Sequence, residues 1–221
     1  MSAPERLAVF VSGGGTNLQA ILDACRQPGY PAEVAVVACN VAGAFGMERA
    51  RRAGVPVVLV PHRDFRSRAE HERAVLDALR PYGARTAVLA GYMRVLSPVL
   101  LDAFWDRERE LPGVLNIHPA DTRAYQGAHG YEFALGLVPG ARRLSETRVT
   151  VHFVDRGVDT GPIIAQRRVP VLPDDDLERL RARGLAVEHE LYPAVIRAYC
   201  EGRLSLAGGR VWWDGKPIEL D

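Results

Sequence analysis

Lysine is nearly missing from this chain. Of 28 lysines and arginines, only Lys216 is a lysine, and it lies behind Asp214-Gly215 near the C-terminus. A phosphate-loop kinase or a Schiff-base enzyme needs a lysine in its site, so neither chemistry fits. Cysteine is scarce too. Cys25, Cys39 and Cys200 are far apart, odd in number and without a Cys-x-x-Cys pair. That excludes a disulfide framework and a cysteine zinc site, and it suits a reducing, cytoplasmic setting. His-Glu-x-x-His is absent. Glu70-His71-Glu72 and Glu188-His189-Glu190 read as solvated helix faces, so no metal is expected. Net charge is only +1, too little to draw the chain to nucleic acid or an anionic membrane. The first apolar run stops at glycine and has no basic segment before it, so it is neither a signal peptide nor a membrane span.

What remains is an ordinary globular balance. The 221 residues are 48% hydrophobic and 25% charged, enough for one large α/β domain. Leu7–Val11 reads as a buried strand that enters the loop Ser12-Gly13-Gly14-Gly15. Thr16–Cys25 then has helical spacing at Leu18, Ile21 and Leu22. Val34–Ala38, Val55–Val60, Thr86–Ala90 and Val114–Ile117 continue as strands. Met47–Ala53 and Arg68–Leu79 read as helices between them, and Ser97-Pro98 starts another, expected to run long toward Pro112 with the charged insert Asp106–Glu110. Such alternation predicts a Rossmann-like α/β fold, a mostly parallel twisted sheet with helices on both faces. Thr147–Phe153 and Ile163–Val171 read as an antiparallel extension. Asp174–Tyr199 is expected as a long helix, and Leu204–Leu206 with Val211–Trp213 as a terminal hairpin. Ala120–Ser145 is the least regular stretch, a candidate active-site loop.

Three motifs carry chemistry. Glycines in Ser12–Asn17 let a backbone approach a ligand, and free N–H groups at a helix start attract phosphate. Leu18 stands where a dinucleotide fingerprint has glycine, so a sugar phosphate fits better than NAD. A plain tight turn with Thr16 as helix cap explains the loop equally well. In Asn116-Ile117-His118-Pro119, residues two apart on a strand project together. An amide beside an imidazole suits acyl transfer, one for an oxyanion and one for protons; a structural histidine at a strand end is the plainer reading. In Asp155–Pro162, two carboxylates sit in a glycine-rich loop that ordinary turn chemistry also explains. His152 reads as a packed strand residue, Arg49, Arg51 and Arg52 as a solvent-facing flank, and Trp212-Trp213 as terminal packing.

Taken in order, these segments resemble the folate-dependent formyltransferases of the glycinamide ribonucleotide kind. The resemblance rests on Val11–Ile21, on Ala90-Gly91-Tyr92-Met93-Arg94-Val95-Leu96-Ser97-Pro98, on Asn116–Pro119, on Thr150–Val154 and on Asp159–Ile163. It implies one formyltransferase domain over 1–221, with a phosphate-binding half at about 7–105, a catalytic and folate-binding half at about 113–206, and a tail at 207–221. It implies a catalytic trio of Asn116, His118 and Asp159, the aspartate orienting the imidazole and favouring its charged form. It implies a phosphate and ribose subsite of Gly13, Gly14, Gly15, Thr16, Asn17 and Glu188. The implied folate pocket comprises Arg68, Met93, Arg94, Val95, Leu96, Asp155, Arg156, Gly157 and Val158. The implied substrates are small molecules, glycinamide ribonucleotide and the formyl donor 10-formyltetrahydrofolate, used without a metal by a monomer or homodimer. The chain departs from the pattern at Ala120-Asp121-Thr122-Arg123 and at Gln126. A formyltetrahydrofolate deformylase, a formyltransferase for another sugar-phosphate amine, and a non-catalytic folate or sugar-phosphate binder are the competing readings. A methionyl-tRNA formyltransferase is expected to carry a further C-terminal domain and a basic surface.

Overall fold

A computed structural model describes residues 3–220. In chain order its elements are β1 (Glu5–Val11), α1 (Thr16–Cys25), β2 (Ala32–Cys39), α2 (Phe45–Arg52), β3 (Val57–Leu59), α3 (Arg68–Leu79), β4 (Thr86–Leu89) and α4 (Pro98–Ala103). Then follow β5 (Trp105–Asp106), β6 (Leu111–Pro112), β7 (Val114–His118), α5 (Gly130–Ala134), β8 (Glu146–Phe153), β9 (Ile163–Pro170), α6 (Leu177–Cys200), β10 (Leu204–Ala207), β11 (Arg210–Trp213) and β12 (Lys216–Pro217).

Seven strands make one sheet in the order β3-β2-β1-β4-β7-β8-β9. The first five are mutually parallel, and β8 and β9 continue antiparallel. Alternation along β1 shows why both faces are covered. Leu7, Val9 and Val11 pack with Leu18 and Ile21 of α1 and with Leu191 and Val195 of α6. Ala8 and Phe10 pack on the opposite face with Val75 and Leu79 of α3 and Leu100 of α4. A strand buried on both faces is written as an unbroken apolar run. No helix among the described residues is long and apolar enough to cross a membrane.

The topology opens a crevice. Strand order runs outward from β1 in both directions, so the loops after β1 and β4 diverge at their carboxyl ends. Leu89 of β4 lies opposite Asn116 of β7, which brings the end of β7 to the same crevice. Across the other edge of β7 the antiparallel register sets Asn116 opposite His152 and His118 opposite Thr150. The fully buried Tyr192 of α6 ties that helix to the sheet, its hydroxyl lying 3.0 Å from the Leu89 carbonyl and 2.9 Å from the Leu115 carbonyl.

The structure corrects five expectations. The helix from Pro98 stops at Ala103, and residues up to Pro112 form the small β5–β6 hairpin instead. The cause is Asp106, whose carboxylate accepts the N–H groups of Glu108 and Arg109 and pairs with the Arg109 guanidinium, closing a turn before a helix can propagate. The irregular stretch 120–145 contains α5. The terminal hairpin gains β12 as a third strand. Finally, His71 and Glu72 are buried and not solvated. Glu72 accepts the Ser97 N–H at 2.7 Å, the Ser97 hydroxyl, and the Leu100 N–H at 3.1 Å, so it caps α4 from α3. The helix expected from Asp174 begins at Leu177, and Asp176 is its N-cap, accepting the Arg179 N–H at 2.8 Å.

Glu72→Ala leaves three donors without an acceptor, two on half-buried Ser97 and one on buried Leu100. We expect a loss of about 2–4 kcal/mol in stability, read from urea unfolding midpoints; a loss below about 0.5 kcal/mol would refute this capping role.

Candidate active site

The crevice is a cleft of about 630 Å³. One wall is the loop after β1. Gly15 takes φ 68° as N-cap of α1 and gives no side-chain cap, so Thr16 does not cap, and Thr16 and Asn17 of the first turn line the cleft. A Cβ at Gly15 would sit 2.7 Å from the Gly46 Cα, which makes glycine obligatory there. Arg49, expected in solvent, instead donates to the Gly14 carbonyl at 2.9 Å and steadies the loop.

The chemistry converges on Asp159. This residue has φ 51°, a left-handed conformation that aspartate tolerates. Its loop is wound by Asp155, whose carboxylate accepts the Gly157 N–H at 2.9 Å and the Thr160 hydroxyl at 2.6 Å. Oδ1 of Asp159 accepts from Asn116 Nδ2 at 3.1 Å and lies 3.4 Å from His152 Nε2. Oδ2 accepts the Gly127 N–H at 2.9 Å and lies 3.4 Å from His118 Nδ1. Four segments thus meet at one carboxylate.

Hydrogen-bond partners fix the imidazole protons, because a carbonyl oxygen only accepts. His118 Nε2–H donates to the Tyr125 carbonyl at 3.2 Å, which leaves Nδ1 facing Asp159. His152 Nδ1–H donates to the Phe153 carbonyl at 2.7 Å, so its Nε2 accepts from Asn116 at 3.1 Å. Burial pushes His118 below the ordinary imidazole value; Asp159 pulls it up and His152 adds to the fall. Asp159 thus favours the charged imidazole, as the resemblance implies, while desolvation outweighs it in the free protein. Burial alone would raise the Asp159 carboxyl, but His152, His118 and the Gly127 N–H together hold it below the usual carboxylate value.

Most residues singled out in the sequence line this cleft. Gly13 to Asn17, Met93 to Leu96, Asn116, His118, Asp155, Gly157, Val158, Asp159 and Glu188 all do. Arg68 and Arg156 are exposed and stand outside the lining. Glu188 is buried, against its sequence reading as a solvated position, and accepts from Asn17 Nδ2 at 2.6 Å. Asn17 Oδ1 is buried and has no partner. Among the described residues no three His, Cys, Asp or Glu side chains stand together as a metal-ligand set.

Comparison with known proteins places this arrangement. The formyl transferase family model matches residues 5–196. The chain belongs to that family. It is 37% identical to the phosphoribosylglycinamide formyltransferase of Haemophilus influenzae over 97% of this chain and 96% of the relative. It is likewise 37% identical to the Escherichia coli enzyme of that description, over 96% and 95%. The crystal structure of glycinamide ribonucleotide transformylase 1 from Symbiobacterium toebii superposes with a TM-score of 0.87 at 44% identity, covering 96% of this chain and 95% of that one.

Within this cleft the sequence reading missed three residues. His152, whose strand alternation reads as packing, bridges Asn116 and Asp159. Tyr131 and Arg181 line the cleft from α5 and α6. The signal for His152 was its alternation with Thr150, which sets both on one face of β8. The unusual stretch Ala120-Asp121-Thr122-Arg123 stays out of the lining. It is anchored behind the cleft: Asp121 accepts the Arg123 guanidinium at 2.7 Å and Gln166 Nε2 at 3.1 Å, and the Thr150 hydroxyl donates to the Ala120 carbonyl at 2.6 Å. Burial would raise the Asp121 carboxyl, but Arg123 and Gln166 hold it at about 2.

A carboxyl lowered on folding contributes stability above its unfolded value and loses it as pH falls through the folded one. Asp121→Asn should therefore cost about 1–2 kcal/mol at pH 7, and the difference from the parent should shrink between about pH 4 and about pH 2. Urea unfolding across that range measures it; a pH-independent difference would exclude the ionic contribution.

Proposed function

We propose how this cleft carries out the formylation of glycinamide ribonucleotide, the step of de novo purine biosynthesis that is this enzyme's activity. The formyl donor is 10-formyltetrahydrofolate. The observation that carries the proposal is the Asn116–His118–Asp159–His152 cluster, set in the cleft between the glycine loop and the segment Met93–Leu96.

The roles follow from position. Helix N–H groups behind Gly13–Gly15, with Thr16 and Asn17, receive the acceptor phosphate, and Glu188 receives ribose hydroxyls. Met93 to Leu96 with Asp155, Gly157 and Val158 hold the folate, with the exposed Arg68 and Arg156 as further cations for it. One domain over 1–221 carries both substrates, the phosphate at about 7–105 and the folate chemistry at about 113–206, with 207–221 as tail. Formyl transfer needs no metal here, because the cluster itself supplies a hydrogen-bond donor and a proton acceptor.

The acceptor's amine attacks the formyl carbon, forming a C–N bond and a tetrahedral oxyanion. In the free protein both Asn116 N–H groups are spent on Asp159 and His152. One of them turns to the oxyanion as it develops. The amine proton passes to neutral His118 at Nδ1, where Asp159 stabilises the imidazolium. The C–N10 bond then breaks, and the proton travels through water to N10. One bond forms, one breaks, and the proton leaves the amine for the folate, so no further reactant is needed.

The direct test is formyl transfer from 10-formyltetrahydrofolate with glycinamide ribonucleotide, other sugar-phosphate amines and water as acceptors. Rapid transfer to water alone would mean a deformylase. Asn116→Ala should lower kcat about 10²–10³-fold with folding intact, and His118→Ala at least as much. The neutral imidazole is the competent form and burial depresses it, so the acid limb of kcat/KM should fall below about 6.5. Asp159→Asn removes the charge that lifts His118, so that limb should move to still lower pH. An upward movement would contradict the assignment.

A further inference from the structure

Glu188 is held by two donors from two different helices. Asn17 Nδ2 reaches Oε2 at 2.6 Å and the Tyr131 hydroxyl reaches Oε1 at 2.6 Å. All three side chains are buried. Asn17 belongs to the first turn of α1, which carries the glycine loop, whereas Tyr131 belongs to α5, which follows the segment that crosses His118. A carboxylate offers about four lone-pair positions, so two remain for a ligand, and their direction is set by where these two donors stand.

The Tyr131 contact is built into the fold. A Cβ at Gly184 of α6 would lie 2.0 Å from the Tyr131 hydroxyl oxygen, so only glycine lets the phenol pass over α6 to reach Glu188. Glycine inside a helix costs about 1 kcal/mol against alanine, and here it leaves room for this single side chain. Behind Tyr131, a Cβ at Gly130 would lie 2.7 Å from the Pro119 carbonyl, so α5 presses directly on the residue after His118. Burial and the Glu188 charge push the Tyr131 hydroxyl well above its ordinary value, so it remains a donor at every working pH.

We propose that Tyr131 is a positioning residue for the acceptor: it aims the Glu188 carboxylate at the ribose hydroxyls and makes the seating of α5 beside His118 depend on the same bond. The inference rests on the reading of Glu188 as the ribose contact. It accounts for the one-sided geometry, in which the phosphate loop and the segment over the catalytic histidine share a single carboxylate. Folate has no part in it: among the described residues, no hydrogen bond links Met93–Leu96 to Tyr131, Asn17 or Glu188.

Steady-state kinetics of Tyr131→Phe, Glu188→Gln and the double variant, each checked for unchanged Tm, test this. Loss of one hydrogen bond to a charged group should raise the acceptor KM of Tyr131→Phe about ten- to hundredfold, leave the KM for 10-formyltetrahydrofolate within about twofold, and change kcat far less than KM. The double variant should lose much less than the product of the singles. If Glu188→Gln leaves the acceptor KM unchanged, the ribose reading itself falls. If Glu188→Gln raises it and Tyr131→Phe does not, or raises both KM values alike, the ribose reading stands and the role of Tyr131 is overturned. Multiplicative losses in the double variant would likewise overturn it.

Discussion

The site depends on one half-hidden carboxylate. Asp159 is the point at which β7, β8, the segment 120–129 and its own loop are joined, through Asn116, His152, Gly127 and His118. Take that charge away and each of these neighbours loses the partner that sets its direction. A carboxylate in such a place is costly to desolvate and keeps its charge only because donors and imidazoles surround it. Burial lowers His118 against the pull of Asp159, so one arrangement favours a carboxylate anion and a neutral imidazole side by side. That pairing is the resting state a proton-shuttling site needs.

The sheet explains why these groups meet. The glycine loop, Met93–Leu96 and Asn116–Pro119 all follow carboxyl ends of parallel strands, where an α/β sheet opens at the reversal of strand order. The half built on β7 and β8 uses a second device. Adding β8 antiparallel to β7 sets His152 directly across from Asn116, which a parallel neighbour reached through a crossover helix would not do so simply. The antiparallel extension is thus part of the site and not an ornament at the edge of the fold.

How much of this was legible follows from which interactions are local. Leu7–Val11 and Val114–Ile117 announce themselves as apolar runs, the glycine loop follows directly, and alternation places Asn116 and His118 together. Pairings across distance were hidden. His152 meets Asn116 through a register that no local pattern specifies, and Glu72 caps a helix 25 residues further on. A trace of the second was present: Glu72 lies three residues before Val75 and seven before Leu79, on the apolar stripe of α3. The stretch 98–112 misled for a different reason. Helical propensity continues through it, but the Asp106 turn outcompetes the next helical bond. Family resemblance supplied the order of the motifs, while the hydrogen bonds that bind them to one carboxylate had to come from three dimensions.

The charged walls of the cleft have one more consequence. Its non-histidine cations are Arg94 and Arg181, and no lysine lines it. A guanidinium stays protonated and is no nucleophile at working pH, whereas a desolvated lysine amine can be one. An activated formyl group is electrophilic toward any free primary amine within reach. Lined as it is, the cleft offers anion-binding charge without offering a competing amine, so the enzyme's own walls are poor targets for the group it handles.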